Sequence, residues 1–144
     1  MALDISAANA IFTITVAGLY NAPVTIKNFS TDRAWDVAEQ NCAQTQMSID
    51  GYLNAGFVPE PVDQTIQLSA ASESVVVFEA IMTAQQTART LYRLGAEITL
   101  TSTGRKYTMV NGVLRAMAPM PSAGRMLADR QFAVRWQAIY PAGL

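Results

Sequence analysis

Gln64-Thr65-Ile66-Gln67-Leu68-Ser69 alternates polar with apolar side chains, and the stretch that follows it abandons that period. Alternation at period two marks a half-buried strand. From Ser72 onward, Val75, Phe78, Ile81, Met82 and Gln85 recur about one helical turn apart. The spacing predicts one helix over residues 73–91, with Ser72 or Ser74 as its cap, and Glu73 and Glu79 early in it. Arg89 and Arg93 suit its negative end.

On both sides of that junction the period returns to two. Residues 10–17 (Ala-Ile-Phe-Thr-Ile-Thr-Val-Ala) and 22–29 (Ala-Pro-Val-Thr-Ile-Lys-Asn-Phe) read as a hairpin turning at residues 19–23. Residues 34–40 and 42–49 alternate weakly, and Asp50-Gly51 supplies a turn. Pro59, Pro61 and Gly56 then predict an irregular loop carrying Phe57 and Val58. Residues 96–101, 106–117 and 131–139 read as three further strands, with Ser102-Thr103-Gly104 turning between the first two. Pro119, Pro121 and Gly124 mark residues 118–130 as a connection.

Strands, one helix, then strands, with no repeat and no alternating β-α units, predict a mainly β (α+β) fold. The expectation is one domain over residues 1–144, an antiparallel β-sandwich or open β-barrel of about seven strands flanked by one helix. A chain of this length forms one core.

Hydrophobic residues make up 51% of the chain and charged ones 15%, against about 25% in an ordinary soluble domain. No run approaches the roughly 20 apolar residues of a membrane-spanning helix, so no membrane insertion is expected. A poorly charged surface is instead easily covered by copies of itself. Met1-Ala2-Leu3-Asp4-Ile5-Ser6 has neither the basic nor the apolar region of a secretory signal, and with a sole cysteine, Cys42, this points to a cytoplasm as the place of synthesis and assembly. Through Glu79 there are nine acids against two basic residues, a net −7; thereafter eight basic residues face two acids, a net +6. Such asymmetry gives head-to-tail stacking an acidic and a basic flank, unless the fold interleaves the halves.

The chain contains no histidine, which excludes the Ser-His-Asp and Cys-His arrangements and removes the commonest metal ligand. Cys42 alone cannot build a thiolate metal site, and it reads as structural. Gly104-Arg105-Lys106 lacks the glycine spacing of a phosphate loop. Asp50 with Glu60 or Asp63 has the carboxylate chemistry of a glycosidase but no flanking aromatic platform. No catalytic residue, metal or cofactor is therefore expected. Arg125, Arg130 and Arg135 lack the interleaved aromatics of a nucleic-acid surface; a solvated strand edge or ion pairs to a neighbouring subunit fit them better. Arg125 and Arg130, with Glu60 and Asp63, are the candidates for such pairs.

Several segments, read in order, carry a resemblance: a strand from Asn9 to Val16, Pro-Val-Thr-Ile-Lys-Asn-Phe-Ser-Thr-Asp at 23–32, and Ser-Ile-Asp-Gly-Tyr at 48–52. Gln-Leu-Ser-Ala-Ala-Ser-Glu-Ser then leads into the helix, and Asn-Gly-Val-Leu at 111–114 and Pro-Met-Pro at 119–121 precede a closing strand. This pattern resembles the tail-tube proteins of tailed bacteriophages, particularly those with contractile tails.

The resemblance implies a structural protein of the virion tail, six copies closing into a ring, and rings stacking into a tube that conducts DNA as a transient passenger. It implies sheath, baseplate or terminator proteins as partners. It also implies that residues 50–63 reach a neighbouring ring, with Asp50, Gly51, Tyr52, Phe57, Val58, Pro59 and Pro61 as the contact loop. Tube initiators, tail terminators and secretion-system tube proteins share this architecture and stay open as readings. A small β-barrel that binds a ligand or peptide is the alternative from another class.

Overall fold

In the structure, a computed structural model, residues 10–30 and 34–143 are described. Among them the chain forms β1 (Ala10–Val16), β2 (Tyr20–Ile26), β3 (Trp35–Val37), β4 (Gln44–Met47), β5 (Leu53–Gly56), β6 (Val62–Leu68), α1 (Val75–Ala88), β7 (Leu94–Leu100), β8 (Arg105–Met117), β9 (Arg130–Trp136) and β10 (Ala138–Gly143). The reading of Met1–Ser6, the first residue of the Asn9–Val16 strand, and Thr31 and Asp32 of the second segment lie outside the described residues.

Strict alternation does what the period implies: Phe12, Ile14 and Val16, then Ile66 and Leu68, then Phe132, Val134 and Trp136 are all fully buried. Every strand pairing is antiparallel, in the order β2-β1-β7-β8-β9-β6-β3, with β10 added to β8. The fold is thus the antiparallel β architecture with one helix, and the sheet does not close into a barrel. The two halves of the chain interleave in it, since β1 pairs β7 and β6 pairs β9. Strands of the acidic and basic halves therefore lie side by side in the sheet, while β4 and β5 stay outside it.

β8 is the strand that divides the sheet into layers. Its residues 105–110 pair with β10 and its 105–109 and, past a bulge, Gly112 with β7, whereas its 113–117 pair with β9. Between these spans Asn111 adopts φ +50, and Gly112 packs under the Trp136 ring. The junction of β9 and β10 bends alongside: Gln137 donates its N–H to Val110 O, and Asn111 Nδ2 donates to Gln137 Oε1 at 2.6 Å. Two strands therefore change layer at one corner, the device by which a sheet folds over on itself.

The layers enclose an apolar core in which Trp35 meets Phe12 and Phe29 edge-on at 6.0 and 5.7 Å, those two rings tilt against each other at 6.1 Å, and Phe78 of the helix stacks on Phe132 at 4.3 Å. The helix is shorter than its expected span, because Arg89 turns left-handed (φ +54) and ends it. Arg89 is thus the C-cap, and Arg93 lies beyond the helix. Ser74 stands at the N-cap, yet its hydroxyl accepts the N–H of Lys27 instead of capping. Ser72 Oγ donates to Lys27 O and accepts from Ser74 N–H. The two serines so tie the start of the helix to the end of β2.

Three local expectations differ. The loop expected after Asp50-Gly51 contains β5, because Gly51 (φ +89) lets Ser48 N–H reach Tyr52 O and closes a hairpin, and both prolines fall after that strand. The closing strand expected over residues 131–139 breaks at Gln137. The first turn sits at residues 17–19, where Gly18 (φ +85) supplies the conformation that the 19–23 reading gave to a later stretch.

A Cβ at Gly112 would stand 2.2 Å from Trp136 Cε3. Gly112→Ala should therefore destabilise the fold by about 1–3 kcal/mol through overpacking, measured by chemical denaturation. Gly143→Ala, whose Cβ meets nothing within 4 Å, should leave the midpoint unchanged.

Candidate functional site

β4 and β5 pair with each other and with no other strand, forming an arm rooted between β3 and β6. At its base Glu60 accepts hydrogen bonds from Asn41 N–H and Nδ2, and Gln40 Nε2 donates to Glu60 O at 2.8 Å. Asp50 and Gly51 stand at its tip, and Tyr52, Pro59 and Pro61 are exposed, as is Phe57 at 82%. Val58 is half-buried. The sequence reading missed Met47, Ile49 and Leu53, which are also exposed on the arm, Ile49 completely. Their alternation was visible, but period two cannot say whether an apolar face meets the chain's own core or something else. Cys42 lies exposed at the arm's base, not in the core.

The four charged candidates separate. Asp63 meets Arg135 across β6 and β9, at 2.7 Å to Nε and 3.3 Å to Nη2. This contact holds the Asp63 carboxyl below its ordinary value of 3.8. Arg130, only 5% exposed, binds Glu79 and Ala118 O at 3.0 Å each and lies over the Phe132 ring. Its charge is met by partners of the same chain, Glu79 and Ala118 O. Glu60 is occupied in the arm as described. Arg125 is exposed in the connection between β8 and β9.

The outer face of the layer β2-β1-β7-β8-β10 is a second surface. Register places Thr25, Thr13, Glu97, Thr108 and Tyr140 in one row across five strands, and Ile11, Thr99, Lys106 and Ala142 in the next. In the part of β8 that belongs to this layer, residues 105–110, and in its partner strands, the outward charged residues are Glu97 and Lys106, one of each sign; Arg115 lies further along β8, beside β9. The layer ends in β2 on one side and β10 on the other, edges that carry Pro23 and Pro141. Proline belongs on an edge strand because it has no N–H to give a ladder. Among the described residues no group of three or more acids or cysteines is placed to hold a metal, and no helix is long and apolar enough to cross a membrane.

Two expectations follow for the ion pairs. Arg130→Ala should destabilise the fold by about 1–2 kcal/mol, because it removes a buried side chain's packing over Phe132 and two hydrogen bonds, while the half-exposed Glu79 and the exposed Ala118 O can turn to water. Asp63 contributes stability that is present above pH 3.8 and is lost as pH falls through its lower folded value. Asp63→Asn should accordingly flatten the decline of the denaturation midpoint below about pH 4, where the wild-type curve drops.

No curated protein matches the chain. Among solved structures it is similar to the tube-terminating cap of the anti-feeding prophage, at 12% identity and a TM-score of 0.65 over 100% of this chain and 94% of that one. It is similar to a chain of the PVC sheath-tube complex, an extracellular contractile injection system, at 11% identity and TM-score 0.60, covering 92% and 88%. The PVC sheath/tube terminator follows at 10% identity and TM-score 0.59, covering 92% and 93%. These are likenesses of fold. The family model described as tail fiber protein gp32 matches residues 3–140. Matched over nearly its whole length, the chain belongs to the tail fiber protein gp32 family and is a phage-tail-like virion protein.

Proposed function

We propose that the chain is the subunit of a hexameric ring that stacks into the tube of a contractile tail, through which DNA passes. The observation that carries this reading is the open five-strand layer, whose threonine-rich outer face bears one acid and one base and whose two edges are free in the subunit. Six such layers joined edge to edge would line a channel with hydroxyls and little charge. A polyanion slides along such a wall, whereas a dense basic lining would hold it. Joining edges also removes the hazard that free edges otherwise pose.

The arm supplies the contact between copies, with Tyr52, Phe57 and the tip at Asp50-Gly51 as its contact residues, and Pro59 and Pro61 stiffening its return. Stiffness lowers the entropy lost on docking. Assembly takes place in the host cytoplasm, with sheath, baseplate or terminator proteins as neighbours. The solved cap and terminator support a second position in the same tail, a ring that ends or starts the tube. The family's description as a fibre protein supports a third, an elongated appendage.

Negative-stain electron microscopy of the purified protein over a concentration series separates these. Hollow tubes are expected. Isolated rings would place the protein at a tube end, elongated spikes would favour the fibre, and a monodisperse monomer at high concentration would sink ring assembly altogether. Tubes of a Thr13→Lys/Thr108→Lys variant should retain short DNA in a salt-dependent manner, and wild-type tubes should not.

A further inference from the structure

An apolar cavity of about 370 Å³ opens between the two layers, within the roughly 300–1,000 Å³ range of pockets that seat a ligand. It is lined by Trp35 and Val37 of β3 and by Ile98, Tyr107, Met109 and Ile139 of the other layer, with Gln64 among them. Gln64 is 1% exposed. Its Oε1 accepts the Trp136 indole N–H at 2.9 Å, and because that indole can only donate, the amide's orientation is fixed. Gln64 Nε2 is left without a hydrogen-bond partner. A buried donor of this kind calls for an acceptor, at a cost of about 1–3 kcal/mol when none is met.

Charge selects the occupant. Residues 38–61, which form the arm and its base, contain Glu39, Asp50 and Glu60 and no lysine or arginine. Residues 98–128, which include β8 and the turn before it, contain Arg105, Lys106, Arg115 and Arg125 and no acid. Arg105 alternates in phase with Tyr107 and Met109, so it stands at the cavity's end on the same face. An apolar arm with an acidic tip thus matches an apolar cavity with a basic end, on different parts of one surface.

We infer that this cavity receives the β4-β5 arm of a second copy of the chain, with Ile49 and Tyr52 entering it, Asp50 facing Arg105, and a backbone carbonyl of the arm accepting from Gln64 Nε2. The inference rests on the ring-and-tube reading and names the receptor that reading leaves open. The contact is heterologous, arm to cavity, so each copy uses both surfaces and the series extends or closes.

The test uses the full chain in a Cys42→Ser background. Ile49→Cys protein and Val37→Cys protein, the latter carrying a mass tag, are mixed, assembled and mildly oxidised, then resolved on a denaturing non-reducing gel. Disulfide-linked heterodimers of tagged and untagged chains are expected. As a second measurement, Val37→Trp fills the cavity mouth at a half-exposed position; it should keep the wild-type melting curve and raise the concentration needed for assembly by about tenfold or more. Assembly without heterodimers, together with unimpaired assembly of Val37→Trp, would overturn the receptor and leave the tube reading intact. Failure of the wild-type chain to form rings or tubes would overturn both.

Discussion

The Trp136 ring lying on Gly112 is the contact on which the two-layer architecture depends. A strand as long as β8 would run on in one sheet unless something turned it, and a turn leaves backbone and side chains crowded at the inside of the bend. Glycine relieves the crowding and tryptophan fills what remains. The same indole reaches Gln64 on β6, so one side chain joins the corner, its own strand β9 and the strand beside it. The 72 residues that separate Trp136 from Gln64 make this a constraint that only the finished fold satisfies.

Around that corner the energetics divide by depth. Inside, apolar side chains and the stacked Phe78 and Phe132 supply non-directional burial, and the helix is held to the sheet by this packing and by the two serines that grip Lys27. At the boundary, Arg130 satisfies its charge with Glu79 and a backbone carbonyl and covers an aromatic face. Outside, Asp63 and Arg135 form a pair open to water, of the kind that solvent screening weakens. The arm stands apart from all three, with its apolar side chains in solvent.

Much of the fold was legible because β1, β6, β7 and β9 alternate strictly and α1 has its own period; a side chain's phase is local information. The layer switch was not, because residues 106–117 read as one uninterrupted strand and nothing local says that a tryptophan from the far end of the chain will lie on Gly112. The partners of Arg130 were hidden for a related reason: an arginine at the start of a strand looks solvated until Glu79 and Ala118 are brought to it by the tertiary fold. For the candidate site, the Asp50-Gly51 turn and the prolines after it were legible, and they bound the arm. Its extra apolar residues, the threonine rows and the cavity depend on register between distant strands, which one sequence does not display.

The independence of the arm has a consequence in time. A two-stranded hairpin is marginal by itself and opens and closes in roughly 1–10 μs. The body, by contrast, is locked by pairings between strands far apart in the chain, such as β1 with β7 and β6 with β9. The arm can therefore rearrange many times while the body keeps its shape. On the proposed tube reading, an arriving copy is a rigid block carrying one quick limb, and the limb can sample its approach without any part of the core having to loosen.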